Sequence, residues 1–276
     1  MRRLADSPLI AEHRRVGPAV FAFTSRHGGI SRPPYDSLNL GLHVGDAESA
    51  VLENRDRVTE VLRAQDRIWV QAQQVHGSGV ACVLDEVIVL TCGGLGPSHD
   101  YLQYGKADAL VTSLPSHLLA LFFADCVPVF MVEPTAAVVG LAHAGWRGTA
   151  RRIATEMLAY VGGEDAPAGR GPERTRVVIG PSVGMCCYEV GWLVMRSVLA
   201  TIPKERRDER VVRRTAFGRW HLNLARINAL QLIEAGVPEA RIEIIDRCTC
   251  CEKGTFFSVR GEGKVTGRCG AFAWLE

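Results

Sequence analysis

Apolar residues recur at helical spacing in four segments of the chain. Val51, Val58, Val61 and Leu62 share one face after a cap candidate at Asp46, and Ile153, Met157 and Val161 repeat after Gly148 and Thr149. Val190, Leu193, Val194 and Val198 predict a third helix that stops before Pro203, and Leu224, Ile227, Leu230 and Ile233 a fourth, ended by Gly236 and Pro238. Between them, short aliphatic, β-branched and aromatic runs read as strands at 80–83, 87–91, 109–112, 118–123, 127–132 and 138–142. Further runs follow at 177–179, 242–245, 256–260 and 272–275. Consecutive strands without intervening helices exclude a strictly alternating βαβ order and predict an α+β fold of mixed sheets flanked by helices. No internal repeat or long linker divides the chain, so residues 1–276 are expected to form one compact domain, with 1–20 a variable N-terminal segment. The Gly-, Pro- and charge-rich stretch 162–175 reads as a surface loop.

Composition narrows the class of protein. With 47% hydrophobic and 22% charged residues in a chain of 276, disorder is excluded. A net charge of +2 gives no field that would select a polyanion, so no nucleic-acid partner is expected. The basic run 204–219 is interrupted by Glu205, Asp208 and Glu209, as on a solvated face. Asp6, Glu12 and scattered Arg break the N-terminal segment where an export signal would be apolar. The most apolar region, 118–146, is broken by Asp125, Pro128, Glu133 and Pro134, which makes it core and not a membrane span. A cytoplasmic location follows as the expectation, with most of the nine Cys reduced. No protein partner is inferable.

Three segments put a metal-ligand type beside a turn: His76 in Gln74-Val75-His76-Gly77, Cys126 after Ala124-Asp125, and His143 ahead of Ala144-Gly145-Trp146-Arg147-Gly148. Two imidazoles and a thiolate suit one Zn²⁺ per chain and leave a fourth position open. The three lie far apart in sequence, and a buried Cys and a turn His are the plainer alternatives. His143 stands out because a strand, a glycine turn and Arg147 follow in order, a setting able to hold an anion such as phosphate. Its alternative is a tight turn with Arg147 in solvent. Arg26-His27-Gly28-Gly29 and Ser37-Leu38-Asn39-Leu40-Gly41 form a second polar region that a substrate could use. For Cys186, Cys187, Cys248, Cys250 and Cys251, adjacent pairs lack the usual C-x₂-C spacing of zinc sites, and core packing is the expectation.

Together these motifs resemble the bacterial laccase-domain family, also called multicopper polyphenol oxidase and now described as zinc-dependent purine nucleoside phosphorylases. The resemblance rests on Arg26-His27-Gly28-Gly29, SLNLGLHVGD at 37–46, QVHG at His76, ADALVT at 107–112, ADC at Cys126, AHAGWRG at His143, IGPSVGMCCYEVG at 179–191 and Phe256-Phe257-Ser258. It implies a compact domain related to cytotoxic-necrotizing-factor-like cysteine hydrolases. It also implies phosphorolysis of adenosine, inosine, guanosine and S-methyl-5'-thioadenosine, with adenosine deamination as a further activity. The family's zinc ligands fall on His76, Cys126 and His143. Val259 and Gly261 around Arg260, and Cys269, depart from the common pattern and bear on substrate preference.

On this resemblance Arg147, Gly148 and Arg26 are expected at phosphate, Asn39 and Arg260 at substrate, and Asp125 as proton carrier or as a residue orienting a ligand. None of the eight His lies two residues from another, so the paired His-x-His motifs of true multicopper oxidases are missing and any copper is expected to be adventitious. Two alternatives remain: a cysteine hydrolase with Cys126 as nucleophile and His143 as base, and a purine-binding module without turnover.

Overall fold

In the computed structural model, the described residues are 7–83, 101–162, 171–215 and 217–276. The predicted strand at 87–91 lies outside them. The chain opens with β1 (Ile10–Val16) and β2 (Ala19–Thr24), continues into α1 (Glu48–Leu62), then β3 (Ile68–Gln73), β4 (Val80–Val83), β5 (Tyr101–Lys106) and β6 (Ala109–Thr112). Next come β7 (His117–Phe123), β8 (Val127–Glu133), β9 (Val138–Ala144), α2 (Trp146–Ala150), α3 (Ile153–Gly162), β10 (Arg176–Ile179) and β11 (Glu189–Val190). The last third holds α4 (Trp192–Leu199), β12 (Val212–Arg214), β13 (Trp220–Leu222), α5 (Leu224–Glu234), β14 (Ile242–Ile244), α6 (Val259–Glu262) and β15 (Cys269–Leu275).

Two six-stranded mixed sheets form the body, in the orders β1-β2-β15-β7-β3-β5 and β14-β10-β8-β9-β6-β4, with a small antiparallel sheet β11-β13-β12 beside them. The fold is therefore α+β. Side-chain alternation explains the layering. Phe21 and Phe23 of β2 point to an inner core shared with Phe130 and Leu141 of the second sheet, and Phe21 stacks on Phe130 with ring centroids 5.1 Å apart. Val20 and Ala22 point the other way, toward Val58 and Leu62 of α1. On the far face of the second sheet, Val129 and Met131 pack against Met157 and Val161 of α3 and Leu230 of α5. Because β7, β8, β9 and β15 are covered on both faces, every residue in them is buried. That is why they read as unbroken apolar runs.

All four helices exist where the periodicity puts them, with shifts at their ends. Asp46 spends its side chain on the Ala47 N–H, and Ala47 occupies the cap of α1. Val190 belongs to β11 and not to the third helix. The expected strand at 256–260 is a correction: Phe256 and Phe257 are buried without a strand, and Ser258 caps the short helix α6 by accepting the Gly261 N–H. β1 also emerges from what reads as a variable tail, paired antiparallel with β2.

Candidate functional site

The strands deliver three distant residues to one seam. β7 belongs to the first sheet and β8 to the second, so Ala124-Asp125-Cys126 is the crossover between them. Asp125 takes a φ of 91° to make that bend, and Cys126 stands just before β8. His143 sits on β9 directly opposite Pro128 of β8. His76 arrives from the first sheet, in a turn after β3 with φ 57°. The ligand atoms of His76, Cys126 and His143 all lie within 4.8 Å of one another.

A buried carboxylate that the motif reading left without a role builds this arrangement. Asp108, fully buried ahead of β6, accepts hydrogen bonds from the backbone N–H groups of Val75 (3.1 Å), His76 (3.0 Å) and Gly77 (2.6 Å). The same carboxylate lies 2.9 Å from His143 Nδ1. One side chain thus fixes the His76 turn and orients the His143 ring. With Nδ1–H donated to Asp108, Nε2 of His143 is left as the ligating atom, the carboxylate–histidine pattern of metal sites. Arg151 adds a hydrogen bond from Nη1 to the His76 carbonyl.

The donor set fits a tetrahedral ion. Zinc bonds of about 2.0–2.3 Å imply ligand separations of roughly 3.3–3.8 Å, and Cys126 Sγ is 3.9 Å from His76 Nε2. A Cβ on Gly145 would fall 2.8 Å from Cys126 Sγ and 3.1 Å from the His76 ring, so only glycine lets the backbone pass this closely. Without a metal the charges still organise. Burial pushes the Cys126 thiol up, but His143 and His76 outweigh it and bring it to about 6. Burial likewise opposes charge on His143, yet Cys126 and Asp108 raise it to about 9. The pair is a thiolate beside an imidazolium near neutral pH.

These groups form part of the wall of a cleft of about 850 Å³. Trp146 and Tyr188 give it aromatic surface, and Arg147, Arg219, Arg260, Lys264 and Arg268 make its lining cationic. Arg219 is paired with Glu189 at 2.6 Å. Among the described residues no carboxylate forms an ion pair with Arg147, Arg260, Lys264 or Arg268. Arg147 lies over the Trp146 ring and Arg260 over the Tyr188 ring.

Other sequence candidates stand elsewhere. Arg26 is outside this cleft, bonded to Asp36 O, Lys253 O and Glu262 Oε1 and stacked on Phe257. Asn39 is fully buried, and its amide holds Gly41, Asp46 and the Arg268 N–H. Gly148 lies inside α2, against Ile153 and the carbonyls of His143 and Gly77. That helix starts at Trp146 and has five residues. Asp125 reaches the cleft, but its carboxylate accepts from Thr249 Oγ1 (2.7 Å), Ser258 Oγ (2.6 Å) and the Arg260 N–H (2.6 Å). It therefore positions Arg260. Tyr188, Lys264 and Arg268 had no assigned role in the sequence; Tyr188 lay inside the quoted IGPSVGMCCYEVG motif, whereas nothing around the two cations marked them as cleft-lining. Among the described residues no helix is long and apolar enough to cross a membrane.

The chain is similar to known proteins along almost its whole length. Residues 20–276 match the family model described as multi-copper polyphenol oxidoreductase laccase. Purine nucleoside phosphorylase YlmD of Geobacillus stearothermophilus is 42% identical over 92% of this chain and 89% of its own length. Adenosine deaminase RL5, from an unknown prokaryotic organism, is 34% identical over 90% of this chain and 91% of its own. The crystal structure of the Bacillus licheniformis hypothetical protein YfiH superposes with a TM-score of 0.85 at 35% identity, covering 99% of this chain and 98% of the other. With residues 20–276 matching its model and a fold shared almost end to end with these relatives, the chain belongs to the multi-copper polyphenol oxidoreductase laccase family.

Proposed function

We propose that the chain is a zinc-dependent purine nucleoside phosphorylase. It would cleave adenosine, inosine, guanosine and S-methyl-5'-thioadenosine with phosphate to the free base and ribose 1-phosphate, with adenosine deamination as a side activity. The observation that carries the reading is the convergence of His76, Cys126 and His143 beneath a cationic, aromatic-lined cleft. The names of the relatives, phosphorylase and deaminase, point the same way.

His76, Cys126 and His143 would hold the ion, which would supply a Lewis acid to the cleft. The chain's own groups do the rest. Arg147, Arg260, Lys264 and Arg268 receive the phosphate, and that anion meets the positive charge growing at the ribose C1' as the glycosidic bond lengthens. Trp146 and Tyr188 offer flat apolar surface to the purine. Asp108 keeps the His143 tautomer fixed, and Asp125 keeps Arg260 facing the cleft.

One observation favours a second reading. Cys126, His143 and Asp108 line up as nucleophile, base and orienting carboxylate, with the thiol already lowered to about 6. A metal bound to the thiolate removes that nucleophile. The deciding experiment incubates the purified protein with each nucleoside, with and without phosphate, and follows base and sugar phosphate by chromatography alongside elemental analysis for zinc and copper. Phosphate-dependent base release from a zinc-loaded protein supports the proposal. Turnover that needs no phosphate and no metal favours the hydrolase.

A further inference from the structure

A second sulfur cluster lies outside the cleft. Cys186, Cys187, Cys248 and Cys251 place their sulfurs within 4.8 Å of one another. Core packing does not account for them, because Cys186 and Cys251 are exposed. Cys248 and Cys251 have the C-x₂-C spacing of zinc sites, which the adjacent pair Cys250-Cys251 masks in one dimension.

We propose that these four cysteines form a closed tetrathiolate site for a zinc ion, separate from the one at His76, Cys126 and His143. A tetrahedron with zinc–sulfur bonds of about 2.3 Å has edges of roughly 3.8 Å. Cys251 Sγ is 3.4 Å from both Cys186 Sγ and Cys187 Sγ. Equal approach to two partners is the geometry of a shared centre and selects no single disulfide pair. Cys248 Sγ accepts from the backbone N–H of Gly184 (3.2 Å) and of Cys251 (3.5 Å), donors that stabilise a thiolate once its proton has left. Gly184 leaves room for the cluster: a Cβ there would come within 3.1–3.3 Å of Cys248 and Cys186 Sγ.

The position explains what such an ion would do. Ser182 bridges to Cys248, so the cluster fastens the loop after β10 to the loop after β14. The first loop leads into Tyr188, and the second carries Thr249, which holds Asp125. The ion is thus a clip on the outer wall of the cleft. It makes no contact with substrate.

The test needs no knowledge of the activity. Zinc is counted per chain in the wild type, in Cys126→Ser and in the double variant Cys186→Ser/Cys251→Ser. The proposal expects two ions in the wild type, one retained in Cys126→Ser, and one lost from the double variant. Cobalt substitution of the wild type gives a readout that does not depend on any variant folding, since sulfur-to-cobalt charge transfer scales with the number of thiolates. A four-thiolate spectrum that survives in Cys126→Ser supports the site. A spectrum with the intensity of a single thiolate overturns it, as does a denatured, metal-free sample, prepared without reductant under argon, that titrates fewer than the nine thiols of the sequence because a disulfide holds the cluster. Failure here leaves the phosphorylase reading untouched, because that reading rests on a different ligand set.

Discussion

Replacing Asp108 by Asn isolates the residue on which the proposed metal site at His76, Cys126 and His143 depends. The substitution keeps shape and removes one acceptor oxygen. If the amide nitrogen takes the Oδ2 position, the Val75 and Gly77 N–H groups face a donor. Each buried donor left unpaired costs about 1–3 kcal/mol. If it takes the Oδ1 position, the His76 N–H loses its acceptor and His143 Nδ1 must accept, which moves the ring proton to Nε2 and blocks ligation. Either way zinc affinity should fall roughly 10–100-fold, the usual cost of removing an orienting carboxylate. Competition against a chromophoric chelator gives the affinity, and thermal unfolding of the metal-free protein gives the stability loss. Wild-type zinc affinity in Asp108→Asn would refute the reasoning. The pH dependence has a defined sign. Burial works against the Asp108 charge, but hydrogen bonds from His143 and the Gly77 N–H outweigh it and hold the carboxyl below its ordinary value. Its contribution is therefore present above the unfolded value of about 4 and lost as pH falls toward the lowered folded value.

Other outcomes follow from the same geometry. In metal-free protein, alkylation of Cys126 should slow as pH falls through about 6, and zinc should protect the thiol; a midpoint at the ordinary thiol value contradicts the ion pair. Arg147→Ala removes a charge-assisted contact worth about 1.5–3 kcal/mol and should raise the phosphate KM roughly 10–100-fold, measured by base release at varied phosphate. Arg26→Ala should leave that KM unchanged while lowering stability by about 1.5–3 kcal/mol in denaturant, because its partners are Glu262 and backbone carbonyls outside the cleft. Treatment with a strong chelator should abolish base release, and added zinc should restore it.

The candidate ligands His76, Cys126 and His143 were legible through short motifs that resemble the laccase-domain family, whereas residue type and spacing alone left a buried Cys and a turn His as the plainer alternatives. Asp108 was not singled out: a carboxylate that acts from full burial on a turn more than 30 residues away leaves no spacing signal. Arg26 and Asn39 were legible as polar residues in glycine-rich turns, but nothing in one dimension says that their hydrogen bonds close on the protein itself. β7, β8, β9 and β15 declared themselves through apolar runs buried on both faces, whereas β1 carries Glu12, His13, Arg14 and Arg15 in a row at the edge of its sheet and reads as tail. Phe256 and Phe257 have strand composition, but Ser258 is drawn to Asp125 and the cap of α6 before a strand can form.

The central claim is that one zinc ion joins two sheets through His76, Cys126 and His143. Anomalous diffraction from crystals at the zinc edge tests it most directly. The account predicts a peak within bonding distance of His76 Nε2, Cys126 Sγ and His143 Nε2, with Asp108 still on His143 Nδ1. A zinc-loaded crystal with no anomalous density between those three atoms would contradict it.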